Sequence, residues 1–130
     1  MEFTELYKKA KSVVNPRKIN EFIETGGVGA AILTESGNVY VGVCIDTACS
    51  LGFCAEHAAV AAMLTAGEDC VAKVVAVNWD SVVLPPCGRC RELLSQLRTD
   101  WENTLVMVSQ DTVVTLDKLL PYDSKPLFNN

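Results

Sequence analysis

Residues 54–66 form an Ala-rich stretch that is apolar nearly all the way round, and a helix without a polar face has to be buried. Gly67 marks its end. The run that follows, 71–77, lacks polar alternation, the pattern of a strand in a sheet covered on both faces. A helix and a strand that both avoid water confine the chain to layered α/β architectures.

The remaining segments fit that frame. Phe3, Leu6, Tyr7, Ala10, Val13 and Val14 recur with the 3.6-residue period of an amphipathic helix, which Asn15 and Pro16 close. Residues 28–34 and 39–45 are apolar or β-branched runs separated by Glu35, Ser36, Gly37 and Asn38, which predicts a hairpin. Beyond Pro85 and Pro86, residues 87–97 place Leu93, Leu94 and Leu97 on one helical face; 105–108 read as a strand and 112–115 as a last edge strand. The order predicts a mixed five-stranded sheet with two consecutive βαβ crossovers. Right-handed crossovers running in one direction place both helices on one face, and their N-termini at the edge where the parallel strands end. Cys54 and Cys87 can therefore meet.

Length and composition narrow the function. At 130 residues the chain reads as a single domain, 1–130. Its 49% hydrophobic and 21% charged residues suit a packed core. Sixteen acidic residues against 11 Lys and Arg leave a net charge of −5, which argues against a nucleic-acid partner, since neutralising phosphates takes a basic surface. No run approaches the roughly 20 apolar residues of a membrane span, and the mixed charges of Glu2, Glu5, Lys8 and Lys9 do not make a signal peptide. A cytoplasmic protein without membrane partners is expected. In that compartment six cysteines point to metal binding or catalysis rather than disulfides.

The two helix starts read Cys54-Ala55-Glu56-His57 and Pro86-Cys87-Gly88-Arg89-Cys90. Cys87 and Cys90, three apart in a first helical turn, can face one centre that Cys54 reaches from the other helix. Three protein ligands leave a tetrahedral zinc one open position, as in catalytic sites. Helix N-termini favour thiolates, and zinc in an open site lowers the pKa of water from about 15.7 toward roughly 7. Glu56 is then placed to move protons. A lone Cys-x-x-Cys would be ambiguous; Cys-x-Glu followed 33 positions later by Pro-Cys-x-x-Cys is the three-cysteine form of the zinc-deaminase signature, whose glutamate is acid and base rather than ligand.

With these residues the chain resembles the cytidine deaminase family, in its short three-cysteine branch that includes blasticidin S deaminases. Val28-Gly29-Ala30-Ala31, Gly42, Arg91 and Leu119-Leu120-Pro121 extend the match over most of the chain. The resemblance implies a three-layer cytidine deaminase-like fold, one zinc ion per chain on Cys54, Cys87 and Cys90, Glu56 as catalytic residue, and hydrolytic deamination of cytidine, deoxycytidine or a related pyrimidine within salvage metabolism. It also implies a homotetramer, substrate contacts at Cys44, Asp46 and Ala55, and His57 or Arg91 as the donor that tempers the charge of the sulfur ligands, Arg91 being the better family match.

Several positions depart from the family. Its second strand usually carries Gly-x-Asn-x-Glu; here it reads Gly42-Val43-Cys44-Ile45-Asp46, and a thiol does not replace an amide's donor and acceptor. Gly26 stands where an aromatic usually precedes the Val-Gly-Ala-Ala run, and Ser124 where a phenylalanine often follows the Leu-Leu-Pro, leaving Tyr122 or Phe128 as stand-ins. These changes predict a roomier pocket and a different or broader substrate range, with blasticidin S-like or modified cytosines open. Cys44, Cys49 and Cys70 read otherwise as small buried fillers, Cys49 the most exposed; Asp46 reads equally as a turn former, Trp79 and Trp101 as packing residues, and Arg89 as a solvated charge. A catalytically silent zinc module is the competing class, but a structural site has no use for Glu56.

Overall fold

The computed structural model describes residues 1–128. Its main elements are helix α1 (Phe3–Ser12), strands β1 (Arg17–Lys18), β2 (Ile23–Thr34) and β3 (Val39–Thr47), helix α2 (Ala55–Thr65), strands β4 (Val71–Asn78) and β5 (Val83–Leu84), helix α3 (Gly88–Ser95), and strands β6 (Leu105–Ser109) and β7 (Thr112–Thr115). The five long strands are those expected from the sequence. Two-residue strands β1 and β5 widen the sheet beside β2 and β4.

The strand order is β3-β2-β4-β6-β7. Because β2 runs antiparallel to both of its neighbours, β3 and β4 are parallel to each other, and β6 is parallel to β4. The first crossover, through α2, passes over β2; the second, through α3, joins adjacent strands. Both helices consequently start from the edge where β3 and β4 end.

Side chains alternating along the central strands divide into two cores. Ala30, Ile32, Val74, Ala76 and Val106 pack with Ala59, Val60 and Met63 of α2 and Leu94 of α3. Ala31, Leu33, Val75, Val77 and Met107 pack on the other face with Leu6 and Ala10 of α1. This is the expected three-layer arrangement, and it explains why β4 shows no polar alternation. Each fully buried Val, Leu, Ile or Met contributes about 1.5–3 kcal/mol relative to exposure. The helix read as apolar all round is buried at Ala55, Glu56, Ala59, Val60 and Met63, and Gly42 lets β3 approach it: a Cβ there would lie 2.5 Å from the Ala58 Cβ.

The hairpin extends further than its apolar pattern, from Ile23 and to Thr47. Its register shifts between Thr25 and Gly29, where Gly26 adopts φ +81° and its carbonyl accepts the Asn15 N–H at 2.8 Å. A Cβ on Gly26 would come within 2.1 Å of the Asn15 oxygen. Tertiary pairing thus holds this Gly-rich stretch as strand despite its turn-like composition.

Candidate active site

Cys54 is the N-cap of α2 (φ −72°, ψ 160°) and Cys87 the N-cap of α3 (φ −70°, ψ 174°). Cys90 follows in the first turn of α3. The three Sγ atoms lie within 4.8 Å of one another, Cys54 to Cys87 at 3.3 Å and Cys87 to Cys90 at 3.5 Å. Three thiols from two helix starts are a compact, soft donor set, and such a set fits zinc with a position left open. Cys54 and Cys87 also border a cleft of about 560 Å³, which is lined as well by Glu56 of α2, by Cys44 and Asp46 of β3 and by Trp79 just beyond β4.

The thiols are not uniformly acidic in the protein alone. Burial pushes Cys54 up to about 11, aided by its hydrogen bond with Cys87. Burial also raises Cys90, and the Glu56 charge adds to it. Although burial works the same way on Cys87, hydrogen bonds from the Cys90 backbone and the Cys54 thiol bring it below its ordinary value. The expectation that both helix starts acidify their cysteines therefore holds at Cys87 only. Desolvation outweighs the helix dipole at the other two, and a divalent cation is the partner that would keep them deprotonated.

Glu56 is 5% exposed, and burial raises its carboxyl pKa against hydrogen bonds from the backbone and Cys90. A raised carboxyl suits a group that must take up and release a proton near neutral pH. His57 places Nδ1 3.4 Å from the Cys90 Sγ, and its ring stacks on Phe53 with centroids 6.0 Å apart. Burial, then Arg89, lowers its pKa and keeps the imidazole neutral. Arg91 takes a different place: Nε donates to the Pro86 carbonyl at 2.8 Å and Nη1 to the Leu119 carbonyl at 3.1 Å. It braces the loop that carries Cys87, and among the described residues its bonds do not reach a sulfur.

Cys44 is buried, and its Sγ accepts the Val28 N–H at 3.3 Å and donates to Asp46 Oδ2 at 3.6 Å. Asp46 is exposed at the cleft, and Ala55 is fully buried on its wall. Cys49 is exposed on the turn after β3 at φ 62°, while Cys70 is half-buried and donates to Asp69 Oδ1 at 3.2 Å. Of the C-terminal side chains expected as stand-ins, Tyr122 and Phe128 are exposed and, like Ser124, do not border the cleft. Trp101 is a packing residue, buried beneath the Lys125 ammonium at 4.6 Å.

Trp79 is not. It is 64% exposed and walls the cleft, as does Arg89. The signal for Trp79 was available, since it follows the C-terminal end of a parallel strand, where open α/β sheets bind ligands. Phe53 had only its position beside Cys54 to recommend it.

The sequence profile described as the cytidine and deoxycytidylate deaminase zinc-binding region matches residues 4–106. A cytidine deaminase of Mycobacterium tuberculosis is 38% identical over 68 residues, 52% of this chain and 51% of that one, so this chain spans about half the length of that relative. The blasticidin-S deaminase of Bacillus cereus is 32% identical over 103 residues, covering 72% of this chain and 74% of its own. Among solved structures, the cytidine deaminase of M. tuberculosis superposes with a TM-score of 0.79 at 27% identity, over 94% of this chain and 96% of that one. That of Burkholderia pseudomallei gives 0.76 at 27%, over 95% and 100%.

Proposed function

This chain belongs to the cytidine and deoxycytidylate deaminase zinc-binding family, and from that premise we propose that it hydrolyses the exocyclic amino group of cytidine, deoxycytidine or a related free aminopyrimidine. Water is consumed, and the uridine-type product and ammonia are released. The observation that carries this reading is the meeting of three sulfurs within 4.8 Å beside the buried carboxyl of Glu56.

Cys54, Cys87 and Cys90 hold one zinc ion. When bound, zinc supplies a Lewis acid that makes water available as a nucleophile near neutral pH. Glu56 takes one proton from the attacking water and delivers it to the ring nitrogen, then takes the second from the hydroxyl newly added to the ring carbon and gives it to the amine that departs as ammonia, a cycle that needs a carboxyl able to exist in both states. His57 donates to the Cys90 sulfur and tempers its charge, while Arg91 positions the Cys87 loop through the Pro86 carbonyl. Asp46, oriented by the Cys44 thiol, accepts from a hydroxyl on the sugar side, and Ala55 forms part of the base wall. Residues 1–130 act as one zinc-binding domain, in a cytoplasmic homotetramer serving pyrimidine salvage. The net charge of −5 favours a free small molecule over a base within RNA or DNA.

A second substrate, blasticidin S or a similar modified cytosine, is favoured by Cys44 standing where an amide would grip ribose and by the similarity to the B. cereus enzyme. Ammonia release from cytidine, deoxycytidine and blasticidin S, measured on zinc-loaded protein with Glu56→Gln as control, separates the two. Turnover of at least one compound by the parent and not by the variant is expected; no ammonia from any of them overturns the reading.

A further inference from the structure

The cleft has two ends. Cys54, Cys87 and Glu56 mark one. Gly27, Asp46 and Trp79 mark the other, since these three also line a neighbouring cavity of about 360 Å³ whose walls include neither Glu56 nor the three cysteines. At this end β2 contributes two successive glycines, Gly26 and Gly27. A Cβ on Gly27 would lie 3.7 Å from Trp79 Cε3, so the indole lies against bare backbone. The side chain is nonetheless 64% exposed and borders the open cleft.

An exposed indole on a loose loop would say little, but this one is mounted rigidly. Trp79 opens the turn that joins β4 to β5. The Asn78 N–H donates to the Val82 carbonyl at 2.9 Å, and Asn78 Oδ1 accepts the N–H groups of Asp80 and Val82 at 2.9 and 3.0 Å. The Ser81 carbonyl accepts the Tyr7 hydroxyl at 2.9 Å and the Gln110 side-chain amide at 3.0 Å. The turn is therefore tied to its own strand, to α1 and to the connection between β6 and β7. A tryptophan left in water forgoes the stabilisation of burial, and one held in place can take up a ligand face with little ordering cost.

In a cytosine compound the substituted ring nitrogen lies directly across the ring from the amino-bearing carbon. With that carbon at the sulfurs and Glu56, the substituent falls at the end marked by Asp46 and Trp79. A sugar ring offers hydroxyls on its rim to Asp46 and a C–H face to the indole. Resting on the deaminase reading, we infer that Trp79 is a specificity-determining residue: it packs against the ring carried by the substituted nitrogen and favours compounds that bear such a ring over those with a small substituent. The contact is made far from the reacting atoms, so it acts on binding and not on the chemical step.

The test uses zinc-loaded protein with cytidine, blasticidin S and 1-methylcytosine, the last carrying only a methyl group on that nitrogen. For whichever ring-bearing compound is deaminated, Trp79→Ala is expected to raise KM on the order of tenfold with kcat little changed, and Trp79→Phe to fall between. In parallel, tryptophan emission is titrated in Glu56→Gln protein, where Trp79→Phe leaves Trp101 alone to report. Saturable quenching by cytidine or blasticidin S, lost with Trp79→Phe and weaker with 1-methylcytosine, is expected. Such quenching in a protein that deaminates none of the three would uphold Trp79 and defeat only the proposed activity. An unchanged KM in Trp79→Ala, or emission that neither ring-bearing compound alters, overturns the inference. So does an equal dependence of 1-methylcytosine on Trp79, which would mean that the indole reads the base.

Discussion

Glu56 is the side chain on which the proposed chemistry turns. It sits one residue inside α2, buried to 5% exposure, and its amide isostere would fill the same space without carrying a proton. Glu56→Gln is expected to cut turnover by about 10²–10⁴-fold, the usual contribution of a general acid or base, while zinc content by elemental analysis stays at one per chain. His57 makes a different demand. With its Nδ1 at 3.4 Å from Cys90 Sγ, His57→Ala should weaken zinc binding about 10-fold or more, as loss of a partner to a metal ligand does, measured by competition with a chromophoric chelator. Zinc affinity unchanged in that variant would remove His57 from the site. At this scale the sequence was most informative where roles are local: Cys54, Glu56, Cys87 and Cys90 are fixed by spacing along two helix starts. It was least informative for Arg91, whose guanidinium turns to the Leu119 carbonyl 28 positions away, a choice that depends on where the C-terminal turn packs.

Between α2 and β3 the contact is close because two small surfaces meet. A Cβ on Gly42 would lie 2.5 Å from both the Ala58 Cβ and the Ala59 backbone nitrogen, so Gly42→Val forces the helix off the strand. The expected cost is about 1–3 kcal/mol, as for overpacked cores, read as a lower midpoint in urea denaturation; because α2 starts at Cys54, the variant should also bind zinc less tightly. An unchanged midpoint would mean the helix can shift freely. The elements themselves were legible where apolar period or buried composition is strong, as in α1, α2 and β4. β1 was not, because Arg17 and Lys18 are exposed polar residues and only pairing with Thr25 and Glu24 makes them a strand.

Across the whole molecule, two couplings hold distant pieces together. Glu68, just beyond α2, accepts hydrogen bonds from Tyr40 and Asn38 of the hairpin. The Tyr40 hydroxyl foremost, then Thr34 and Asn38, holds its pKa at about 2, below the ordinary 4.5. A depressed folded-state pKa stabilises the fold above 4.5 and loses that contribution as pH falls toward about 2. Glu68→Gln should therefore flatten stability against pH within that window, followed by thermal unfolding, with no change in slope counting against the coupling. The second coupling is the zinc ion proposed to join α2 to α3. Chelation is expected to lower the melting temperature as well as abolish ammonia release, since a ligand held only by the native state stabilises it; an unshifted melting temperature would argue that the three sulfurs do not share an ion.

The amino-acid order by itself determined which three cysteines and which carboxyl stand at the two helix starts, together with the layered scaffold. These follow from short spacings and from periodicity, which act within one helix or strand. Only the tertiary structure decided that His57 rather than Arg91 faces a sulfur, and that Trp79 stands open at the cleft. Each depends on which strand lies next to which and on the packing of segments far apart in the chain.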